Sequence, residues 1–163
     1  LLKYKMKSLV IFYSYEGNTK FVAQTIGKTI NAELLEIHPI IDYKEKGMMK
    51  YLWLWKEAMM KKTPELEPIE KRFDDYDLIF IWTPIWAFSM TPPIRSFLQK
   101  YNIKNKKIII FCTSEGGKWK YFEHIKELIP DNEFLAEKEF ARVSKNKEKI
   151  EQEAKDWANS FII

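Results

Sequence analysis

Leu9-Val10-Ile11-Phe12-Tyr13-Ser14-Tyr15-Glu16-Gly17-Asn18-Thr19 is the stretch from which the fold can be read. Its first five residues are apolar, β-branched or aromatic, and too few for a helix of ordinary length, which predicts a buried strand. Beyond the polar hexad, Val22, Ile26 and Ile30 recur every fourth residue, the spacing of one helical face. A tight turn carrying Gly17 therefore leads from a strand into a helix N-terminus. Backbone N–H groups without intrahelical partners meet the positive end of the helix dipole there, so the turn suits a phosphate. Ser14, Asn18 and Thr19 add side-chain donors beside those amides. A plain turn in which Asn18 or Thr19 caps the helix is the alternative reading of the same six residues.

Working outward, strand-like and helix-like segments alternate. Leu34-Leu35-Glu36-Ile37 reads as a second strand, stopped by His38-Pro39. Leu78-Ile79-Phe80-Ile81-Trp82 is a third, apolar at consecutive positions and so covered on both faces. Ile108 to Cys112 is a fourth, and the more polar Phe134 to Val143 a fifth, suited to a sheet edge. Thr91-Pro92-Pro93 opens a helix that buries Ile94, Phe97 and Leu98, with Thr91 as N-cap and proline in the first turn. Further helices are expected from about Trp119 to Ile129, burying Phe122, Ile125 and either Leu128 or Ile129, and from about Lys147, with Ile150, Ala154, Trp157 and Phe161 on one stripe. Met48 to Lys62 is helix-compatible and crowded with Met and Trp; Pro64 and Pro68 end it. This alternation predicts an α/β doubly wound sandwich, a five-stranded parallel sheet with helices on both faces and right-handed crossovers. No internal repeat or Gly/Ser linker interrupts it, so residues 1–163 are expected to form a single domain.

Composition narrows the function classes. The net charge of +4 in 163 residues falls in the first part of the chain and is too modest to form a concentrated basic stripe, which argues against nucleic acid. No apolar run is long enough to span a membrane and no signal-peptide pattern opens the chain. It starts at Leu1, and Met6 reads as the natural start. The lone cysteine excludes an internal disulfide and suits a reducing cytoplasm. Cys112, inside an apolar run, is expected to be a buried structural thiol. His38 and His124 are isolated, so no metal site is expected.

In open α/β sheets ligands bind at the carboxyl ends of the strands. Three segments of unusual composition leave those ends: Ser14 to Thr19, Thr83 to Met90, and Thr113 to Gly117. The first suits a phosphate. In the second, Thr83-Pro84-Ile85-Trp86-Ala87-Phe88 places large flat side chains on what reads as a loop, and a tryptophan there suits stacking on a planar heterocycle. In the third, Thr113-Ser114-Glu115-Gly116-Gly117, two glycines let backbone amides approach a ligand closely. A phosphate anchor, an aromatic platform and a hydrogen-bonding loop together describe a mononucleotide site.

Tyr13 to Thr19, the run Tyr76 to Trp86 and Pro92-Pro93-Ile94-Arg95-Ser96-Phe97-Leu98 resemble the flavodoxin-like family of FMN-binding proteins. The resemblance reaches from Leu9 to the terminal helix, and the second run continuing into the third is its most specific part. It implies the strand order 2-1-3-4-5 in the short-chain form and FMN as cofactor. By the same resemblance, Ser14, Tyr15, Glu16, Gly17, Asn18 and Thr19 surround the phosphate. Thr83, Pro84, Ile85, Trp86 and Ala87 line the ribityl chain and ring, with Trp86 stacked on it. Thr113, Ser114, Glu115, Gly116 and Gly117 contact the ring's polar edge. No side chain is expected to be catalytic, because a flavin supplies its own redox chemistry.

Three features depart from the family pattern. Glu16 stands where many flavodoxins place a threonine or serine, and a carboxylate is expected to turn away from a phosphate. The chain is slightly basic, whereas electron-shuttling flavodoxins are usually acidic. The Met- and Trp-rich residues 48–60 exceed what one packed helix face buries; they are expected to pack on the sheet, cover the flavin, hold a hydrophobic substrate or form a homodimer contact. The leading expectation is electron transfer to a redox partner protein or small-molecule acceptor. An NAD(P)H-dependent FMN oxidoreductase reducing a quinone or similar acceptor is the second, and a flavin-free interaction module on the same scaffold the third.

Overall fold

Strand β1 (Ser8–Phe12) runs between two parallel neighbours, and every one of its side chains is buried. The structure is a computed structural model that describes residues 6–41, 48–86, 89–116 and 121–161. After β1 come α1 (Asn18–Ile30), β2 (Glu33–Glu36), α2 (Met48–Met59), β3 (Leu78–Trp86) and β4 (Ser89–Met90). The chain continues through α3 (Pro92–Lys100), β5 (Lys107–Ser114), α4 (Tyr121–Leu128), β6 (Glu133–Ala141) and α5 (Lys147–Asn159). The sheet order is β2-β1-β3-β5-β6, parallel throughout, with β4 paired antiparallel to the end of β3. Without β4, this is the expected order 2-1-3-4-5.

Strand side chains alternate between faces, and that alternation builds two cores from the same strands. Leu9, Ile11, Ile79, Ile81, Ile108 and Ile110 point to one side, where α3 and α4 supply Ile94, Phe97, Tyr121 and Ile125. Val10, Phe12, Phe80, Trp82, Ile109 and Phe111 point to the other, against Val22 and Ile26 of α1 and Ile150 and Ala154 of α5. A strand apolar at every position is therefore what a sheet covered twice requires. β6 alternates exposed and partly buried positions along most of its length, as an edge strand does, and its register against β5 shifts between Ile108 and Ile109.

Two expectations are corrected. Thr83 to Met90 is not a free loop: β3 continues to Trp86, and the chain folds back so that Ile85 pairs with Met90 and Trp86 with Ser89. β5 pulls the extension along, since Thr83 lies in register with Cys112 and Pro84 with Thr113. Thr91 precedes α3, but its hydroxyl does not cap the helix. It lies 3.1 Å from the Thr83 hydroxyl, which also accepts the Thr91 N–H at 3.0 Å, so both threonines close the hairpin instead. Buried Arg95 steadies the same hairpin, donating to Ser89 Oγ at 3.1 Å.

Candidate functional site

Helices leave the sheet on opposite sides after β1 and β3, which makes the gap between their carboxyl ends the topological switch point. A cavity of about 340 Å³ opens at this end, a volume within the range of small-molecule sites. Its wall draws on each of the three singled-out segments. Tyr15, Glu16, Asn18 and Thr19 come from the β1–α1 turn, Pro84, Ile85 and Trp86 from the end of β3, and Thr113, Ser114 and Glu115 from the end of β5. Trp55 of α2 and Val143, just after β6, complete it.

The β1–α1 turn works through its backbone. Gly17 occupies the N-cap position with φ 85°, a left-handed conformation that glycine adopts without the steric cost a side chain brings. Neither Asn18 nor Thr19 caps the helix; they are its first two residues. Ser14 Oγ accepts the Lys20 N–H at 3.1 Å, folding the turn over the first helical residues. The Thr19 hydroxyl is buried and hydrogen-bonded to that of Thr113 at 3.0 Å, which ties this turn to β5. Glu16 is exposed and stands on the cavity wall. Lys20, which is exposed, pairs with Glu36 at 2.7 Å.

Trp86 is half-buried, and its ring meets those of Tyr13 and Tyr15, each at 5.7 Å between centroids and 85° between planes. Two edge-type contacts of this kind fix the plane of the indole. On β5, Ser114 Oγ bonds to Glu139 and accepts the Gly116 N–H at 3.0 Å. Gly116 has φ 118°, and Arg142 donates to the Glu115 carbonyl at 3.2 Å, so this loop is tied to the strand beside it.

Ten of the expected site residues thus share one cavity. Ser14, Gly17, Thr83 and Gly116 belong to the same three segments but do not line this cavity, and Ser14 lines an adjoining hollow of about 630 Å³ with Tyr15 and His38. Ala87, Phe88, Gly117 and Trp119 lie outside the described residues. Trp55 and Val143 complete the wall without having been singled out; Trp55's only signal is its place in the Met/Trp-rich segment, and Val143 carries none. A hollow of about 860 Å³ at the opposite, amino end of the strands is lined by Asp77, Lys104, Lys107 and Glu133 among others. None of its lining residues begins a helix, and it lies away from the switch point.

A family model described as flavodoxin matches residues 7–161. The chain belongs to the flavodoxin family. A curated relative, the flavodoxin-like domain-containing protein BilS of Clostridioides difficile strain CD3, is 30% identical over 138 residues. That alignment covers 80% of this chain and 62% of BilS, so the chain spans less than two thirds of the relative's length. Among solved structures, a flavoprotein from Lactobacillus acidophilus NCFM in complex with FMN superposes with a TM-score of 0.71 at 24% identity, covering 88% of this chain and 97% of the other. Oxidised flavodoxin 2 from Bacillus cereus gives a TM-score of 0.58 at 18% identity, covering 95% and 97%. Both share the fold.

Proposed function

We propose that the chain binds FMN in the cavity at the switch point and works as a redox flavoprotein in electron transfer. The observation that carries this reading is the convergence of the Ser14 to Thr19 turn, Trp86 and the Thr113 to Gly116 loop on one cavity of about 340 Å³. Family membership and the FMN complex of the Lactobacillus flavoprotein support it. The donor set fits the group: backbone amides of a helix start for the phosphate, an oriented indole for the ring, and a glycine-containing loop for its polar edge. Ser14 and Gly17 to Thr19 would hold the phosphate. Pro84 to Trp86 would line the ribityl chain and ring, with Thr83 buried beside them, and Thr113 to Gly116 the ring edge. Ala87 and Gly117 extend the last two sets by resemblance alone.

Bound FMN supplies one- and two-electron chemistry at its ring, and the protein sets orientation, electrostatics and access. Glu16 and Glu115 put negative charge at the cavity and so oppose further charge on a bound ring. Glu115 is largely exposed and stands 4.0 Å from Lys145, which damps its share. A Glu115→Gln protein with unchanged reduction potentials would remove Glu115 from this role.

A second reading, an FMN oxidoreductase that takes hydride from NADH or NADPH and reduces a quinone or similar acceptor, is favoured by one observation. Trp55 lines the cavity, and the helix that carries it exposes Met48, Met49, Trp53 and Met59, offering an apolar acceptor a place to lie. The same face suits a second copy of the chain, which sedimentation would reveal as a homodimer. Titrating flavin-free protein with FMN tests the main proposal: quenched flavin fluorescence at one equivalent supports it, and free-flavin spectra throughout leave an interaction module on the same scaffold. Rapid bleaching of the bound flavin by NADH or NADPH supports the oxidoreductase, and bleaching only through a reductase supports the carrier. The buried lone thiol is in keeping with a reducing cytoplasm as the place of action.

A further inference from the structure

We infer that Trp55 of α2 forms part of the flavin-ring site and that bound cofactor in turn helps hold α2 against the protein. The inference rests on the FMN reading above and deepens it. Among the described side chains of α2, Ala58 is the one that is fully buried. Met48, Met49, Leu52, Trp53 and Met59 are exposed, from 42% for Trp53 to 82% for Met48.

Trp55 differs from its neighbours in where it stands. At about 100° of rotation per residue it lies about 60° from the buried Ala58, whereas Trp53 lies about 140° from it. Trp55 is accordingly on the flank that turns toward the body, and it lines the cavity together with Tyr15, Trp86 and Thr113. Yet 49% of its surface is still exposed. A large, flat, half-exposed indole on the wall of a cavity that already contains an oriented tryptophan is a surface waiting for a planar ring. Covering it would remove apolar area from water and add an aromatic contact. Because coupling between two equilibria is reciprocal, whatever affinity α2 lends the ring through Trp55 is returned as stability of the docked helix. The apolar outer face of α2 would then be presented most firmly when the cofactor is bound.

Fluorescence titration of the full chain with FMN and with riboflavin, which lacks the phosphate, tests this. Trp55→Ala is expected to weaken both flavins by the same factor, about tenfold, the size of a lost aromatic contact. Trp55→Phe should recover most of that loss, Trp53→Ala on the outward face should change neither affinity by more than about twofold, and Ser14→Ala should weaken FMN alone. Hydrogen exchange supplies the second readout: FMN is expected to slow exchange of the α2 amides in the unmodified chain and not in Trp55→Ala. Unchanged affinity of Trp55→Ala for both flavins, a Trp55→Phe protein as weak as Trp55→Ala, or α2 exchange indifferent to FMN overturns the inference while leaving FMN binding intact. If the unmodified chain perturbs neither flavin's fluorescence, the FMN reading falls and takes this inference with it.

Discussion

Thr19 Oγ1 and Thr113 Oγ1 lie 3.0 Å apart in a buried hydrogen bond that joins residues 94 positions apart in sequence. Thr19 belongs to the phosphate-type turn and Thr113 to the end of β5, so one bond sets the spacing of two cavity walls. Thr113→Val keeps the shape and deletes the partner, leaving the Thr19 hydroxyl unpaired by it in a dry setting. A loss of about 1–3 kcal/mol is expected in urea unfolding. Replacing both threonines by valine should cost less than the sum of the singles, and strict additivity would show that the pair is not coupled.

Gly17 tests the backbone of the same turn. A Cβ built there meets no heavy atom within 4 Å, but φ stands at +85°. Gly17→Ala should therefore cost about 1–2 kcal/mol through the left-handed conformation alone. Gly17→Asn should cost less, because asparagine enters that region more readily. Equal unfolding midpoints for alanine and asparagine would contradict a purely conformational cost.

Cys112 sits in β5 with no exposed surface. Burial pushes its thiol up to about 12. The thiolate is the reactive form, so the folded protein should resist an aromatic disulfide reagent at pH 8 and react once unfolded in urea. Fast labelling under native conditions would mean that β5 opens locally.

Glu33 on β2 gives the fold a pH signature. Hydrogen bonds from Lys71 and from the Tyr76 hydroxyl, each at 2.7 Å, hold its carboxyl down at about 2, against an ordinary 4.5. A depressed carboxylate stabilises the fold above the unfolded value, so this contribution is present above about pH 4.5 and is lost as the pH falls from there toward 2. The side chain is 47% exposed, and solvent screening keeps the effect below about 1 kcal/mol. Unfolding midpoints of the unmodified chain and Glu33→Gln should differ at pH 6, draw together below about pH 4.5 and meet only below about pH 2; a gap as wide at pH 2 as at pH 6 would show that charge is not its origin.

Sequence patterns alone determined most of the scaffold. Consecutive apolar positions in Leu9 to Tyr13, Leu78 to Trp82 and Ile108 to Cys112 marked strands covered on both faces, and the period of Val22, Ile26 and Ile30 marked the helix after the first. Those signals are local, because side-chain period and burial are set by secondary structure. The composition of three segments also pointed to one end of the sheet. Contacts between distant parts of the chain were decided only by tertiary structure. Thr91 looks like a helix cap in sequence and closes a hairpin with Thr83 instead, because β5 draws β3 past its apolar run and brings the two hydroxyls together. Trp55 and Trp86 carry the same indole and sit 31 positions apart, but only the docking of α2 beside the end of β3 makes them walls of one cavity. A hydroxyl's partner and an indole's neighbour depend on which elements pack together, and residue spacing along the chain does not carry that information.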